Sequence, residues 1–355
     1  MTGVLNRYIL VEALKSTALA ALFLVSLVLL ITFADELDDM GEGRYGLVEI
    51  LKYLMLITPR TVYELIPAAA LLGALITLGS MANFHELTAM RAAGISRWRI
   101  IFSVLQVGFL LMLLSIFISE VIAPSSEQAA QMLKLTAKKE QIALKTKYGF
   151  WARDGDTYLN IREINTSSEL TDINIYEMTA DNKLKYSAYA EEAVFLGGTW
   201  HLKNIQQTIV DETGVSVSEL AEAEMDTLLD PDILEVVIVK PERLSIAGLI
   251  HYISFLQDNG QDAEKYILAI TSKIIRPFVI LAMLLISIPF VLGSNRVQST
   301  GSRILTGVLI GTGFTLVERL FGGVGVAYGL NPVFSAALPF ILVLSVSIVL
   351  IRRMD

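Results

Sequence analysis

Ionisable residues are scarce inside the long apolar stretches of this sequence, so the few found there are the first candidates for chemistry. They are Glu64, Arg276 and the neighbouring pair Glu318 and Arg319. A charge inside a membrane span is costly and commonly marks a functional path. The alternative, which the sequence favours, places all four near a membrane interface.

Segment 84–94 joins charge to a short helical pattern that ends at a glycine. Glu86 and Arg91 supply charge, while Leu87 and Met90 form an apolar side. A helix of this kind suits docking into a groove on a cytosolic partner. On pattern alone, a helix that merely connects two spans is an equal alternative.

Lysines cluster after the third apolar stretch, on an otherwise acidic part of the chain. They are Lys134, Lys138, Lys139, Lys145 and Lys147. Such a cluster could contact phosphate groups, although a bare charge run is more often a solvated face.

Motifs for catalysis or cofactor binding are missing from the sequence. It contains no G-x-x-x-x-G-K-[ST] loop, no G-x-S-x-G elbow and no H-E-x-x-H helix. Its three histidines have no metal-ligand spacing, and the absence of cysteine excludes disulfides and thiolate catalysis. We therefore predict neither a catalytic centre nor a bound metal or cofactor.

The elements that carry these residues must be largely membrane helices. Of 355 residues 54% are hydrophobic, and the mean hydropathy is +0.57. A helix rising about 1.5 Å per residue needs about 20 apolar residues to cross a bilayer core of roughly 30 Å. Four stretches qualify, namely Ser16–Ala34, Leu65–Phe84, Ile100–Ser119 and Pro277–Asn295.

The C-terminal apolar region predicts two further spans. Ile304–Val317 leads into Leu320–Ile351, which is too long for one helix. A tight turn is predicted where glycine and proline concentrate, at Gly322, Gly323, Gly325, Gly329 and Pro332. The first span could instead be a cleaved signal peptide, but its apolar core is long and no small-x-small cleavage site follows it.

The distribution of Lys and Arg predicts the orientation of these six spans. The N-terminal segment, the loops after spans two and four, and the C-terminal tail together hold nine basic residues and three acidic ones. Both termini are therefore predicted to be cytoplasmic, and the residues after span three to lie outside the cytoplasm.

Between Glu120 and Lys273 the pattern changes to alternating apolar and polar residues, which is typical of half-buried strands. Their spacing predicts a β-sandwich or jelly roll with a flanking helix capped by Ser245 and ended by Gly260. An apolar stripe is expected on that helix, formed by Ile246, Leu249, Ile250, Ile253 and Leu256. The predicted fold is thus a polytopic α-helical membrane protein with an inserted periplasmic β-jelly-roll domain, divided into residues 1–119, 120–272 and 273–355.

Several local sequences spread along the chain are typical of one family. They include Asn6-Arg7-Tyr8-Ile9, the run Pro67 to Leu75, Glu86-Leu87 with Met90 and Gly94, and Phe150-Trp151-Ala152 with Asp154-Gly155. Through them the chain resembles the LptF/LptG family of lipopolysaccharide export permeases. Leu244-Ser245-Ile246, Gly260-Gln261-Asp262-Ala263 and Ser272-Lys273-Ile274 favour the LptG branch of this family.

The resemblance implies an ABC transporter in which an LptF-type and an LptG-type permease enclose a cavity for lipopolysaccharide. Two LptB ATPase subunits would drive it, and LptC would receive the cargo. Segment 84–94 would then be the helix that couples to the ATPase, through Glu86, Leu87, Met90 and Arg91.

The resemblance also implies cargo contacts. The phosphates would meet Arg60, Lys134, Lys138 and Lys139, and the acyl chains would meet a hydrophobic cavity lined by Phe23, Leu65, Ile66, Phe314 and Phe321. The chain departs from some relatives at the outer end of span one, where Thr32, Asp38 and Asp39 replace lysines.

Three alternative functions stay open from the sequence. An LptF-type paralogue would serve in the same complex. A secondary transporter would need inverted repeats and midplane ion ligands, of which only Glu318 with Arg319 is a candidate. A membrane-anchored scaffold would not depend on an ATPase.

Overall fold

A computed structural model describes residues 2–138, 150–166, 168–179, 183–211, 214–225, 241–292 and 299–353. Its chain divides into two compact units. The helical unit comprises Met1–Asp38, Leu54–Ala129 and Glu264–Asp355, and the sheet unit comprises Asp39–Tyr53 and Ala130–Ala263.

Nine α-helices are found in the described part of the chain. They are α1 Thr2–Leu37, α2 Leu47–Asn83, α3 Glu86–Ala92, α4 Arg97–Phe117, α5 Ala123–Lys138, α6 Ile246–Asp258, α7 Glu264–Leu292, α8 Thr300–Ala327 and α9 Pro332–Arg352. A π-helical turn, Ile118–Ile122, joins α4 to α5, and a short 3₁₀ turn, Pro241–Arg243, precedes α6. Span three therefore continues as a helix through Lys134 to Lys138.

Six helical stretches within the described residues are long and apolar enough to cross a membrane. They correspond to α1, α2, α4 with its continuation, α7, α8 and α9. Helix α2 has 37 residues and begins at Leu47, well before the charge-free run at Leu65. Its length of roughly 55 Å exceeds the hydrocarbon core, so part of α2 must extend beyond it.

The predicted turn between the last two spans is found at the C-terminal end of the glycine-rich segment. Helix α8 continues through Gly322, Gly323 and Gly325, and the turn falls at residues 328–331, where Gly329 has φ +62°. A Cβ atom at Gly325 would lie 2.5 Å from Ser335 Oγ, so glycine there serves close packing of α8 against α9. Of the residues that predicted the turn, Gly329 lies in it and Pro332 begins the next helix, while Gly322, Gly323 and Gly325 belong to α8.

The helical unit has an apolar core formed mainly by α2, α4 and α7. Leu71, Leu75, Ile100, Val107 and Ile280 are each at most 1% exposed. Helices that are apolar on all sides can form such a core and still face lipid with their other side chains.

The sheet unit contains one antiparallel sheet whose strands follow the order of the chain. The strands are β1 Phe150–Asp154, β2 Thr157–Thr166, β3 Glu169–Met178, β4 Leu184–Leu196, β5 Thr199–Asp211 and β6 Gly214–Met225, each paired with the next. The predicted fold class is confirmed. Six helices are long enough to cross a membrane, and an antiparallel sheet is inserted in the sequence between the third and the fourth of them.

Strict alternation of buried residues is interrupted midway along the strands. On β3 the buried residues are Leu170, Ile173 and Ile175, so one interval is three residues instead of two. The extra residue is Asp172, which adopts φ +60°, and Asn204 does the same on β5 with φ +51°. Because these residues leave the extended conformation, the apolar series can continue on the same face beyond them.

Helix α6 follows its predicted end signals. Ser245 Oγ accepts a hydrogen bond from the Gly248 N–H at 3.0 Å, and Gly260 follows the helix with φ +64°. Leu249 and Leu256 are buried as expected, but Ile250 is 54% exposed and does not belong to the buried stripe. It projects away because the next residue along a helix turns about 100° from the buried face.

Candidate functional site

Helix α3 is held against the helical unit by its own apolar side. Leu87 is 4% exposed and belongs to the main core, and Met90 packs against that core. The expected apolar docking side of the helix is therefore occupied inside this chain. The side left outward carries Thr88, Ala89 and Arg91, which are exposed.

Glu86 lies at the first position of α3 and is fixed from another helix. The Tyr8 hydroxyl of α1 donates a hydrogen bond to Glu86 Oε2 at 3.1 Å. His85, between α2 and α3, adopts φ +60°, a conformation uncommon for a residue with a side chain. This residue turns the chain so that α3 leaves the direction of α2.

Arg60 is engaged by two carboxylates within the helical unit. Its Nη2 lies 2.7 Å from Glu64 Oε1, and its Nη1 lies 3.6 Å from Glu127 Oε2. The Glu127 side chain is only 1% exposed, and a buried carboxylate is costly without a cation nearby. Arg60 therefore has a structural role in addition to any contact with a ligand.

Lys134 and Lys138 meet carboxylates within the sheet unit. Lys138 Nζ lies 2.8 Å from Asp39 Oδ2 and 2.9 Å from Glu42 Oε2, and Lys134 Nζ lies 3.0 Å from Asp39 Oδ2. Hydrogen bonds from Lys138 and then from Lys134 hold the pKa of the Asp39 carboxyl below its ordinary value. Lys139, Lys145 and Lys147 lie outside the described residues.

We define the lysine cluster as Asp39, Glu42, Lys134 and Lys138. Two tyrosines and one glycine pack around it. Lys134 Nζ lies 5.9 Å from the ring centre of Tyr45 and 5.4 Å from that of Tyr53, distances suited to cation–π attraction. Gly43 has φ +57°, and a Cβ atom there would overlap the backbone carbonyl of Lys138. The loop before α2 thus closes tightly onto the end of α5.

The charged residues of the spans also form specific pairs. Arg276 Nη2 donates to both carboxylate oxygens of Glu318, at 3.2 and 3.1 Å, and the guanidinium lies 5.5 Å from the Tyr63 ring centre. Arg319 is exposed on α8. Of the four span residues singled out by sequence, the structure joins Arg276 with Glu318, while Glu64 pairs with Arg60.

A further pair was not identified as a site from the sequence. Lys273, with a side chain 7% exposed, lies 2.9 Å from Glu120 Oε1 and donates to the carbonyl of Ser119 at 3.2 Å. Both partners belong to the π-helical turn, where the helix opens its hydrogen bonding. No spacing signal joins positions this far apart in the sequence.

The predicted cavity residues are only partly brought together. Ile66 is a buried member of the main core, and Phe314 packs against the same core. Phe23 is 65% exposed on α1, and Leu65 and Phe321 are half-buried.

This architecture defines a multi-pass membrane protein with a strand-rich insert and a short helix docked beneath its spans. The family model described as lipopolysaccharide export system permease LptF/LptG matches residues 7–353, and the chain belongs to this family. Together with the six apolar helices, this membership indicates a multi-pass protein of the inner membrane.

Relatives named LptG are similar in sequence to nearly the whole chain. The lipopolysaccharide export system permease protein LptG of Escherichia coli strain K12 is 34% identical over 354 residues, covering 99% of this chain and 98% of its own length. The LptG protein of Haemophilus influenzae is 33% identical over 345 residues, covering 96% of each chain. By their names, these relatives are permease proteins of a lipopolysaccharide export system.

Proposed function

We propose that this chain is the permease subunit of an ATP-driven ABC transporter that extracts lipopolysaccharide from the inner membrane and passes it towards the outer membrane. The observation that carries the proposal is the match of the family model to residues 7–353. The six membrane-length helices of the described residues agree with it. The partners are an LptF-type permease, two LptB ATPase subunits and LptC.

An external energy source is required by the chemistry of the cargo. Withdrawing acyl chains from a bilayer costs about 0.8 kcal/mol per CH₂ group, so a lipid with several chains requires tens of kcal/mol. The sequence contains no nucleotide-binding loop. Hydrolysis therefore takes place in LptB, and its effect must enter this chain through a contact on the cytoplasmic side.

Helix α3 is the element proposed to receive that contact. Leu87 and Met90 anchor it in the core, so a push on α3 is passed to the neighbouring spans. Glu86 and Arg91 provide charge at its two ends, and Tyr8 fixes Glu86 to α1. The docking surface for LptB is accordingly the polar outer side of α3.

The phosphates of the cargo are assigned to Arg60, Lys134, Lys138 and Lys139, and the acyl chains to a cavity near Ile66 and Phe314. Residues 120–272 are assigned to the periplasm, with 1–119 and 273–355 as the flanking span regions and both termini cytoplasmic. In the lysine cluster, Asp39 and Glu42 occupy the positions that phosphate oxygens would take. Binding of cargo there requires exchange of one anion for another.

The test uses proteoliposomes that contain this chain with LptF, LptB and LptC. Glu86→Ala is expected to weaken LptB association and to abolish lipopolysaccharide release, because it removes the charge at the start of α3. Glu12→Ala is the matched control, since the Glu12 carboxylate accepts a hydrogen bond from Lys15 on an exposed face of α1. Unchanged assembly and release in Glu86→Ala would contradict the proposed coupling.

A further inference from the structure

The first half of helix α8 packs on the helical unit through a narrow stripe. Its buried residues include Arg303, Gly307 and Gly311, which are four residues apart and therefore share one face. Residues on its other faces are exposed, such as Leu305 at 61% and Leu309 at 64%. The first half of α8 is thus attached by a face of small residues with Arg303 at its start. The second half is held separately, by the Glu318 bond to Arg276 of α7 and by the close approach of Gly325 to Ser335 of α9.

That stripe lies against α2. A Cβ atom at Gly307 would lie 2.5 Å from Leu72 Cδ2, and one at Gly311 would lie 3.4 Å from Ala68 Cβ. The glycines let the two helices approach closely, and at Gly307 they leave room for the Leu72 and Leu75 side chains of α2, while α8 itself presents no side chain at Gly307 or Gly311. A face of this kind permits small sliding movements of packed helices.

Arg303 holds the beginning of α8 to the end of α2. Its side chain is 6% exposed and lies flat over Gly79, where an added Cβ would lie 2.5 Å from Arg303 Cδ. Its Nη2 donates to Asn83 Oδ1 at 2.8 Å. Asn83 is the last residue of α2, and only two residues separate it from α3.

The connection between Asn83 and α3 is itself hydrogen-bonded. The Phe84 N–H donates to the Ser80 carbonyl, the His85 N–H to that of Ala82, and the Ala89 N–H to that of His85. Because the two linking residues are hydrogen-bonded to the helices, movement of α3 is passed to the end of α2.

From this geometry we propose that Arg303 is the positioning residue that passes displacement of α3 to α8, which responds by shifting along its glycine face on α2. The inference rests on the proposed function, because α3 must be the helix that the ATPase displaces. It adds a route within the chain, from α3 through Asn83 and Arg303 to α8.

A reversible cross-link tests whether α8 moves along α2. The chain has no cysteine, so Ala68→Cys with Gly311→Cys creates a single possible disulfide. The Cβ separation of 3.4 Å is close to the range of about 3.5–4.5 Å found in disulfides. In proteoliposomes of the full complex, oxidation is expected to reduce lipopolysaccharide release by about tenfold, within the range of allosteric coupling factors, and reduction is expected to restore it.

The outcomes of the cross-link separate the two levels of the proposal. Undiminished release after complete oxidation would overturn the movement of α8. Failure of the pair to oxidise in an assembled complex would overturn the close packing of Gly311 on Ala68 from which that movement is inferred. If the wild-type complex and the reduced variant release no lipopolysaccharide, the proposed function itself fails. Each single-cysteine variant under oxidation controls for the substitutions.

A pair of substitutions tests Arg303 itself. Gly79→Ala is expected to displace the guanidinium and to lower the lipopolysaccharide released per ATP hydrolysed by about tenfold, while ATP hydrolysis and complex assembly persist. Arg303→Gln should do the same, and adding Gly79→Ala to Arg303→Gln should cause little further loss. Equal losses of hydrolysis and release, or fully additive effects, would assign Arg303 a merely structural role.

Discussion

At the scale of single residues, most charges near the predicted sites are compensated by a partner within this chain. Arg60 bonds Glu64, Lys138 bonds Asp39 and Glu42, and Arg276 bonds Glu318. A side chain in such a pair can bind an external anion only by giving up an internal one. The affinity for phosphate therefore depends on the carboxylates as much as on the cations.

Asp39→Asn is the residue change that tests this exchange. Because it removes the carboxylate shared by Lys134 and Lys138, we expect the detergent-solubilised chain to bind lipopolysaccharide several-fold more tightly, with stronger dependence on salt. Asp38→Asn is the control, since Asp38 is exposed and the change in net charge is the same. Equal affinities of the two variants, measured by fluorescence titration, would remove the lysine cluster from the cargo site.

The Tyr189 hydroxyl provides a prediction about alkaline pH. It donates to Asp172 Oδ1 at 2.6 Å, and this hydrogen bond, with burial and the Asp172 charge, raises the pKa of Tyr189 to about 12. Since the folded pKa exceeds the ordinary value, the stabilisation is complete below pH 10.0 and is lost as pH rises through about 12. The wild-type minus Tyr189→Phe difference in tyrosinate absorbance should titrate near that upper value. A midpoint at the ordinary value would show that the bond does not form.

At the scale of elements, helix ends were predictable where one residue supplies the signal. Ser245 and Gly260 bound α6, and Gly94, with φ +83°, follows α3 as expected. The extension of α2 to Leu47 was not predictable from charge-free runs, because that part of the helix carries Lys52 and Arg60. Tyr53, in the first part of α2, contacts Lys134 of α5, and a contact between such distant positions leaves no local signal.

The cap of α6 gives a prediction on this scale. Ser245→Ala removes the acceptor of the Gly248 N–H, and loss of such a cap costs about 1 kcal/mol. Amide hydrogen exchange in the first turn of α6 should accelerate accordingly, while exchange in β2 and β3 stays unchanged. Ser245→Asp, which restores an acceptor and favours the helix dipole, should return the protection. No change in Ser245→Ala would mean that tertiary packing alone fixes the helix start.

At the scale of the whole molecule, the number of spans, the inserted sheet and the family were all accessible from sequence. Hydropathy and strand alternation depend on neighbouring residues, and these patterns survive in the folded chain. The grouping of Asp39 with Lys138, and of Lys273 with Glu120, depends on contacts between remote segments and has no local pattern. The same limit applies to the residues that make up the sheet unit. That unit includes Asp39–Tyr53, which precede the predicted second span in the sequence.

The inclusion of Asp39–Tyr53 in the sheet unit predicts the thermal stability of a fragment of the chain. Within the sheet unit Tyr45 is 1% and Tyr53 is 8% exposed. The fragment Ala130–Ala263 alone would lack these two tyrosines, which cover the end of α5. Joining Asp39–Tyr53 to that fragment through a flexible linker is expected to raise the Tm by about 3 °C, since 1 kcal/mol shifts Tm by about 2–4 °C at this size.

The linked fragment with Gly43→Ala provides the decisive comparison. An alanine at φ +57° is strained, and its Cβ would overlap the Lys138 carbonyl, so the segment cannot close onto α5 in the same way. The gain in Tm, measured by circular dichroism, should therefore disappear in this variant. If the linked fragment melts at the same temperature as the unlinked one, residues 39–53 do not stabilise the sheet unit. If Gly43→Ala retains the gain, they stabilise it by a contact other than the lysine cluster.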